Sequence, residues 1–449
     1  MSQRARTLIG LLAAAAVIVS ACGGAAPGTP GPAGTSSATP PATAPVEVVV
    51  WHMEQPPNRV TAWQQIIDQF NSSHPSIRVT QEVQDWNQIY SKIAAAVTSK
   101  TQPDILFTIP DFTTYVRSTG AVQPVTTLVQ ELDKAHGFLT AATAAYNDQG
   151  EYWAVPLYGM VQMLWYRKDL FEQAGIAAPP ATWDEMLADA QKLTTGTQRG
   201  VALPAGKNLA TDQVIFSFMI TAHAENLFDE QGNIVFDNPD TVRTFDFYNK
   251  LLQYSPADSA NYSWGEPQAA LNNGTAAMAI EKGQYLTPFK AESGRPASDL
   301  GCAMIPQPAT NGQAGSIYYS NGAMVMTSDQ AKKDASAEFL KYLLQPDVYG
   351  PFLNAEPGLF LPLTQDGGTA ESWLGHPTIK EYQYCVDLML QQSQSGMLFG
   401  FTHGQYQINI GSISGQNIIA QTIQKMLIDK ASPQDAVKWG QEQMEAAVK

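Results

Sequence analysis

The chain has 449 residues, of which 44% are hydrophobic and 15% are charged, so it can bury a large core and is too long for one ordinary domain. Acidic residues outnumber basic residues by 41 to 26, which gives a formal net charge of −15. This excess of negative charge repels phosphate backbones and anionic lipid surfaces, and it argues against nucleic acid as a partner.

The first residues have the pattern of an export signal. Arg4 and Arg6 precede an apolar run over residues 8–19, which is too short to cross a bilayer. We therefore predict a signal peptide over residues 1–21. Val19-Ser20-Ala21-Cys22 resembles the lipobox of bacterial lipoproteins, which implies lipidation of Cys22; the alternative is a plain secretory signal with an incidental cysteine. Residues 22–45 are rich in Gly, Ala, Pro, Thr and Ser, which predicts a flexible linker.

The folded part begins with alternating strand and helix patterns. A β-branched run predicts the first strand, and apolar residues at helical spacing around Trp63 predict the first helix. Together the patterns predict a mainly parallel sheet that is flanked by helices. In chain order, we expect a strand at 46–51, a helix around 60–70, a strand at 77–83, a helix at 86–99 and a strand at 103–107.

Further elements follow towards the C-terminus. The patterns of residues 152–156 and 163–166 predict two further strands. Thr182 and Glu185 have the spacing of a capping box, which predicts a helix over 183–193. Ser328 is expected to cap a helix over 329–344. Cys302 and Cys385 either form a disulfide or remain two buried free thiols, because spacing alone cannot show whether they meet.

Several segments carry a family resemblance, and they occur in the family's order. They are residues 63–79, 103–106, 156–185, 274–285 and 335–344. With them the chain resembles the extracellular solute-binding proteins of sugar importers, the group that includes maltodextrin-binding proteins. The resemblance implies an α/β, two-lobed periplasmic-binding-protein-like fold of type II, with hinge strands and an inter-lobe ligand cleft. It implies an N-terminal lobe of 46–157 plus 316–362 and a C-terminal lobe of 158–315 plus 363–449.

Sugars present apolar ring faces and many hydroxyl groups, so their sites need aromatic planes and planar polar side chains. The resemblance places Glu54 and Gln55 at the cleft after the first strand and Asp111 after the third. Tyr285 stands where relatives commonly have a tryptophan that stacks on the sugar. The remaining candidate ligand-binding residues are Trp86, Tyr158, Met160, Trp264, Asn321, Phe360, His403 and Tyr406.

The resemblance implies a lipid-anchored extracytoplasmic monomer that captures a sugar or oligosaccharide and delivers it to the permease of an ABC transporter, without catalysis or cofactor. One alternative is a secreted lipoprotein glycosidase that uses Glu54 and Asp111. Another is a binding protein for a non-sugar solute. The candidate positions contain no Arg or Lys, which suits a neutral ligand. The six histidines lack paired helical spacing, so a metal ligand is disfavoured.

Overall fold

The computed structural model describes residues 44–402 and 405–449, except for the side chains of Gln405 and Tyr406. The predicted signal peptide, Cys22 and residues 23–43 of the predicted linker lie outside the described residues, as does His403.

The strands, in chain order, are β1 (Val46–His52), β2 (Ile77–Val83), β3 (Ile105–Thr108), β4 (Asn147–Asp148), β5 (Glu151–Tyr152), β6 (Val155–Val161), β7 (Met163–Arg167), β8 (Met278–Glu281), β9 (Leu300–Ala303), β10 (Ser316–Val325), β11 (Gly396–Met397), β12 (Phe401–Thr402) and β13 (Gln405–Tyr406).

The helices are α1 (Pro57–Ser73), α2 (Ile89–Ser99), α3 (Pro110–Ser118), α4 (Thr126–His136), α5 (Thr140–Ala144), α6 (Lys168–Gln173), α7 (Trp183–Leu193), α8 (Leu209–Thr221), α9 (Pro239–Leu252), α10 (Gly265–Asn272), α11 (Phe289–Ser293), α12 (Gln330–Leu343), α13 (Pro346–Leu353), α14 (Gln365–Thr369), α15 (Glu371–Leu374), α16 (Pro377–Glu381), α17 (Gln383–Gln394), α18 (Ile410–Gln416), α19 (Ile418–Ile428) and α20 (Pro433–Ala447).

The first lobe is organised by a six-stranded sheet with the order β11-β10-β3-β1-β2, in which β6 also pairs with β10. β1 runs parallel to both β2 and β3, whereas β10 runs antiparallel to β3 and β6. The parallel arrangement predicted from the opening strands is therefore confirmed for β1 to β3 only. The side chain of Trp63 fixes α1 on this sheet, because its ring packs edge-on against Phe107 and Phe352, each with a centroid distance of 4.9 Å.

The second lobe contains a three-stranded antiparallel sheet with the order β8-β7-β9. The chain passes from the first sheet to the second at Gln162, between β6 and β7, and it returns through β10. The lobe boundaries remain a prediction, but β6 stays in the first sheet as far as Val161, four residues beyond the predicted boundary after Leu157. All thirteen residues of α8 are buried, which is expected for a helix with no polar face.

Local sequence signals placed several elements accurately. The predicted capping box of Thr182 and Glu185 is present, and α7 has the predicted bounds. β2 also has the predicted bounds. The cap of α12 is different: the side chain of Asp329, rather than Ser328, accepts a hydrogen bond from the backbone N–H of Lys332.

A disulfide joins Cys302 in β9 to Cys385 in α17, so the open question about these two cysteines is answered in favour of the bond. Their Cα atoms lie 5.8 Å apart, and both residues are buried. The bond closes a loop across a sequence separation of 83 residues and ties a long C-terminal helix to the second sheet.

We expect the double substitution Cys302→Ser and Cys385→Ser to lower the free energy of unfolding by about 2–4 kcal/mol, because the unfolded chain regains the entropy of the open loop. Chemical denaturation of both proteins, with and without a reducing agent, measures this loss. The reducing agent should destabilise the wild type and leave the variant unchanged. Equal denaturation midpoints for the oxidised wild type and the variant would contradict the prediction.

Candidate ligand-binding site

A cavity of about 250 Å³ lies where residues of the two lobes meet. On the first-lobe side it is lined by residues that follow the carboxyl ends of β1, β2 and β3. Because these three strands are parallel, their carboxyl ends share one edge of the sheet, which is where open α/β sheets place their ligands. The residues at this edge are Met53, Glu54, Gln55, Pro56, Arg59, Asp85, Trp86, Asn87 and Ile109.

The crossing strands supply the floor of the cavity. Tyr319 and Asn321 are two residues apart in β10, so they share a face, and Met160 lines the cavity from the paired strand β6. The register between these strands shifts next to Asn321, which leaves Leu157 without a pairing partner in β10. Such a bulge redirects the neighbouring side chains.

The second lobe contributes side chains from two helix starts and one strand end. Leu209 and Gln213 lie one turn apart at the start of α8, and Trp264, Gly265 and Gln268 surround the start of α10. Lys282 and Gln284 follow β8, and Leu359 completes the lining from the segment after α13. Gln268 ties α10 to this strand end, because its amide donates to the backbone carbonyl of Gln284 at 3.1 Å.

Glu54 is held by a buried network. Its Oε1 accepts a hydrogen bond from the Tyr158 hydroxyl at 2.7 Å, and its Oε2 pairs with the Arg59 guanidinium at 2.9 Å. The Nε of the same guanidinium donates to Glu356 at 3.0 Å. Burial together with the Glu54 carboxylate raises the pKa of the Tyr158 hydroxyl well above its usual value, so this hydroxyl remains a donor.

Six of the sequence-predicted residues line the cavity: Glu54, Gln55, Trp86, Met160, Trp264 and Asn321. They come from five separate segments of the chain, and the fold brings them together. Their contact with a ligand stays a prediction.

Four further candidates lie outside the lining. Tyr158 and Phe360 form the layer behind it, with ring centroids 4.2 Å apart. Tyr285 is fully buried and stacks on Trp165, because the short turn Gly283–Tyr285 directs Gln284 rather than Tyr285 to the cavity. Asp111 is also fully buried, next to α18. His403 and the side chain of Tyr406 lie outside the described residues.

Sequence reasoning missed the two cations of the lining, Arg59 and Lys282, and it expected candidate positions without Arg or Lys. Each cation is paired with a carboxylate: Arg59 with Glu54 and Glu356, and Lys282 with Glu281 at 3.4 Å. Lys282 lies within the segment 274–285 that carries the family resemblance, which was the available signal. Gln213 gave no signal, because it belongs to a helix that is buried on all sides.

Of the described residues, no three His, Cys, Asp or Glu side chains are grouped so that they could hold a metal ion. None of the described helices combines the length and the apolar character that a membrane span requires.

The two α/β lobes and the polar cavity between them define a two-lobed binding protein. The family model of the bacterial extracellular solute-binding proteins matches residues 56–349, which is more than half of the chain. The chain therefore belongs to the family of bacterial extracellular solute-binding proteins, and the resemblance seen in the sequence is confirmed.

Individual relatives agree with this assignment. YcjN of Escherichia coli (strain K12), which is named as an ABC transporter periplasmic-binding protein, is 22% identical over 410 residues, covering 90% of this chain and 93% of YcjN. The mannitol-binding protein of Pseudomonas aeruginosa is 23% identical over 355 residues, covering 73% of this chain and 80% of that protein. The structure of maltose-bound MalE3 of T. maritima superposes with a TM-score of 0.77 at 17% identity, covering 89% of this chain and 99% of MalE3.

The family consists of extracellular binding proteins, so this protein is an extracytoplasmic solute carrier and not an enzyme. The structure, like the family membership, argues against the alternative that Glu54 and Asp111 form the catalytic pair of a glycosidase. Asp111 is fully buried and does not line the cavity, so the two carboxylates do not face one another across a bound sugar.

Asp111 instead belongs to a buried pair of carboxyl groups at the junction of α18 and α19. It accepts hydrogen bonds from Ser414 and from Tyr90, and Asp212 of α8 accepts from the side-chain amide of Asn417 at 2.9 Å. Burial raises the pKa of Asp111 to about 6 and that of Asp212 to about 8. The junction thus holds α3 on one side and α8 on the other.

A carboxyl group whose folded-state pKa is raised binds its proton more tightly in the folded protein, so its contribution favours folding in acid and is lost as the pH rises through the folded pKa. For Asp212 this window runs from about pH 4 to about pH 8. Between pH 5 and pH 8, Asp212 is expected to lower the free energy of unfolding of the wild type by about 3 kcal/mol. We expect Asp212→Asn to abolish this decrease.

Denaturant unfolding of the wild type and the variant at both pH values measures this difference. Asp387→Asn is the matched control, because Asp387 is exposed and accepts a hydrogen bond from Gln383 on the same helix. A variant that keeps the wild-type pH dependence would show that Asp212 is not the titrating group.

Proposed function

We propose that this protein captures a neutral, polyhydroxylated solute of the sugar and polyol class in the cavity between its lobes and delivers it to the permease of an ABC importer. Two relatives support the ligand class, since one is named as a mannitol-binding protein and the other is a maltose-bound structure. The name of YcjN supports the partner.

The observation that carries the proposal is the combination of aromatic rings with unpartnered indole and amide groups in the lining of the cavity. The lining combines the rings of Trp86 and Trp264 with amide side chains. Trp264 Nε1, Asn321 Nδ2 and Gln284 Oε1 are buried, and none of them has a hydrogen-bond partner within the part of the chain that the structure describes. Buried polar groups normally have partners. Two donors and one acceptor without partners suit hydroxyl groups, which both accept and donate.

An anionic solute is the competing candidate, because Arg59 and Lys282 line the cavity. Both cations already have carboxylate partners, and Asp85 adds negative charge to the same lining. A bound anion would have to displace these pairs or approach their carboxylates, and each is unfavourable in a buried site. The charges therefore favour a neutral ligand.

The mode of attachment is part of the proposal. Cys22 carries the lipid, residues 22–45 form the tether, and the folded body acts as a monomer. An amide-linked acyl chain next to the diacylglycerol supplies the several hydrophobic chains that stable anchoring requires. The predicted lobes, 46–157 plus 316–362 and 158–315 plus 363–449, close around the solute by a hinge motion.

Thermal unfolding of residues 46–449 against monosaccharides, alditols, oligosaccharides, amino acids, polyamines and divalent metals tests this function. We expect a sugar or polyol to stabilise the protein by about 2.7 kcal/mol at a hundred times its Kd and to be recovered unchanged. Stabilisation by amino acids, polyamines or metals alone would overturn the proposal.

We expect Trp86→Ala to weaken binding of that ligand about 10-fold or more, because a large aromatic contact in the cavity wall is lost. Trp439→Ala is the matched control, since Trp439 is half-buried on α20, away from the cavity, and faces Lys425. Isothermal titration calorimetry measures both Kd values. Equal affinities of the two variants would exclude Trp86 from the site.

A further inference from the structure

Lys282 has an unusual position in the cavity wall. Its ammonium group lies 3.8 Å from the ring centroid of Trp264, and its side chain is only 9% exposed. The ammonium makes one long hydrogen bond, of 3.4 Å, to the fully buried Glu281. An ammonium group has three N–H donors, and no second acceptor for them is present among the described residues. Lys282 therefore retains donor capacity at the cavity.

The same position changes what Trp264 can offer. The ammonium covers one face of the indole ring in a cation–π contact, so a sugar ring cannot stack on that face. The indole N–H of Trp264 is buried and has no acceptor in the described part of the chain. Trp264 is thus arranged to donate a hydrogen bond rather than to serve as an open platform for successive sugar rings.

The cavity is also closed beside Lys282. Gly283 follows Lys282 directly, and its backbone lies so close to Gly358 of the opposite lobe that a Cβ on Gly283 would overlap the Gly358 carbonyl oxygen. Gly358 has a φ of +86°, a conformation that favours glycine, and the next residue, Leu359, lines the cavity. A ligand chain therefore cannot continue past Lys282 between these two segments.

The volume agrees with a short ligand. At about 250 Å³ the cavity is smaller than the roughly 300–1,000 Å³ of sites that enclose drug-sized molecules. Glu54 lines the cavity from the first lobe and Lys282 from the second, so a ligand between them can meet an acceptor and a donor.

Resting on the proposed function, we propose that Lys282 is a specificity-determining residue that restricts the site to a single-unit polyol, either a monosaccharide or an alditol. Its ammonium group donates to one ligand hydroxyl from the second lobe. The same group covers one face of Trp264 and so reduces the aromatic surface available to a second sugar unit.

Isothermal titration calorimetry of residues 46–449 with D-mannitol, ribitol, D-glucose, maltose and maltotriose tests the ligand size. We expect at least one single-unit compound to bind and both oligosaccharides to bind at least about 100-fold more weakly, because they do not fit the closed end. Tighter binding of maltose or maltotriose would overturn this inference and leave the proposed function intact. Binding of none of the five compounds, with a shift in thermal unfolding only for a ligand that is not polyhydroxylated, would overturn both.

The role of Lys282 is tested with two variants, the single substitution Lys282→Met and the double substitution Glu281→Gln with Lys282→Met. The double variant removes both charges of the buried pair, so it does not leave the charge of Glu281 uncompensated. We expect each variant to raise the Kd for the single-unit ligand about 10- to 100-fold, the loss typical of a hydrogen bond from a charged group. Lys290→Met is the control and should change the Kd less than about 2-fold, because Lys290 is exposed and pairs with Glu381 on the surface. Wild-type affinity in the folded double variant would show that Lys282 does not determine specificity.

Discussion

The guanidinium group of Arg59 lies between two buried carboxylates, those of Glu54 and Glu356, and the geometry of the cavity depends on it. Glu54 follows β1, Arg59 belongs to the first turn of α1, and Glu356 lies in the segment after α13. Tyr158 adds the crossing strand β6 through its bond to Glu54. A buried charge must be paired, so removing Arg59 would leave both carboxylates uncompensated. The network therefore aligns four segments of the first lobe at the sheet edge where the ligand is expected.

The second lobe is held to this framework by contacts of a different kind. At one end of the cavity, the Gly283 backbone packs against Gly358. Elsewhere, the junction of α18 and α19 lies between Asp111 of α3 and Asp212 of α8. Burial raises the pKa values of both carboxyl groups and favours their protonated forms. One part of the lobe contact thus responds to pH, whereas the Arg59 network keeps its charges paired.

This arrangement explains how a lining that contains cations can still suit a neutral ligand. Arg59 and Lys282 compensate buried carboxylates, and the unpartnered groups of the lining include the indole and amide groups of Trp264, Asn321 and Gln284. Hydroxyl groups can satisfy donors and acceptors together without bringing a new charge into the cavity. Because Lys282 lies on one face of Trp264, the site suits one polyol unit rather than a chain of sugars.

Local signals in the sequence were sufficient for much of the framework. The β-branched run of β1, the helical spacing around Trp63 and the capping box at Thr182 predicted their elements, because these patterns depend on neighbours along the chain. Five of the six candidate residues that line the cavity follow strand ends or lie in the crossing strands, and the sixth, Trp264, precedes α10. Tyr285 and Asp111 were predicted at the cleft and are buried behind it, because the turn at Gly283 and the packing of α18 on α3 decide the direction of these side chains. The pairing of Cys302 with Cys385, the approach of Lys282 to Trp264 and the contribution of Gln213 join residues that are distant in the sequence, so only the tertiary structure could decide them.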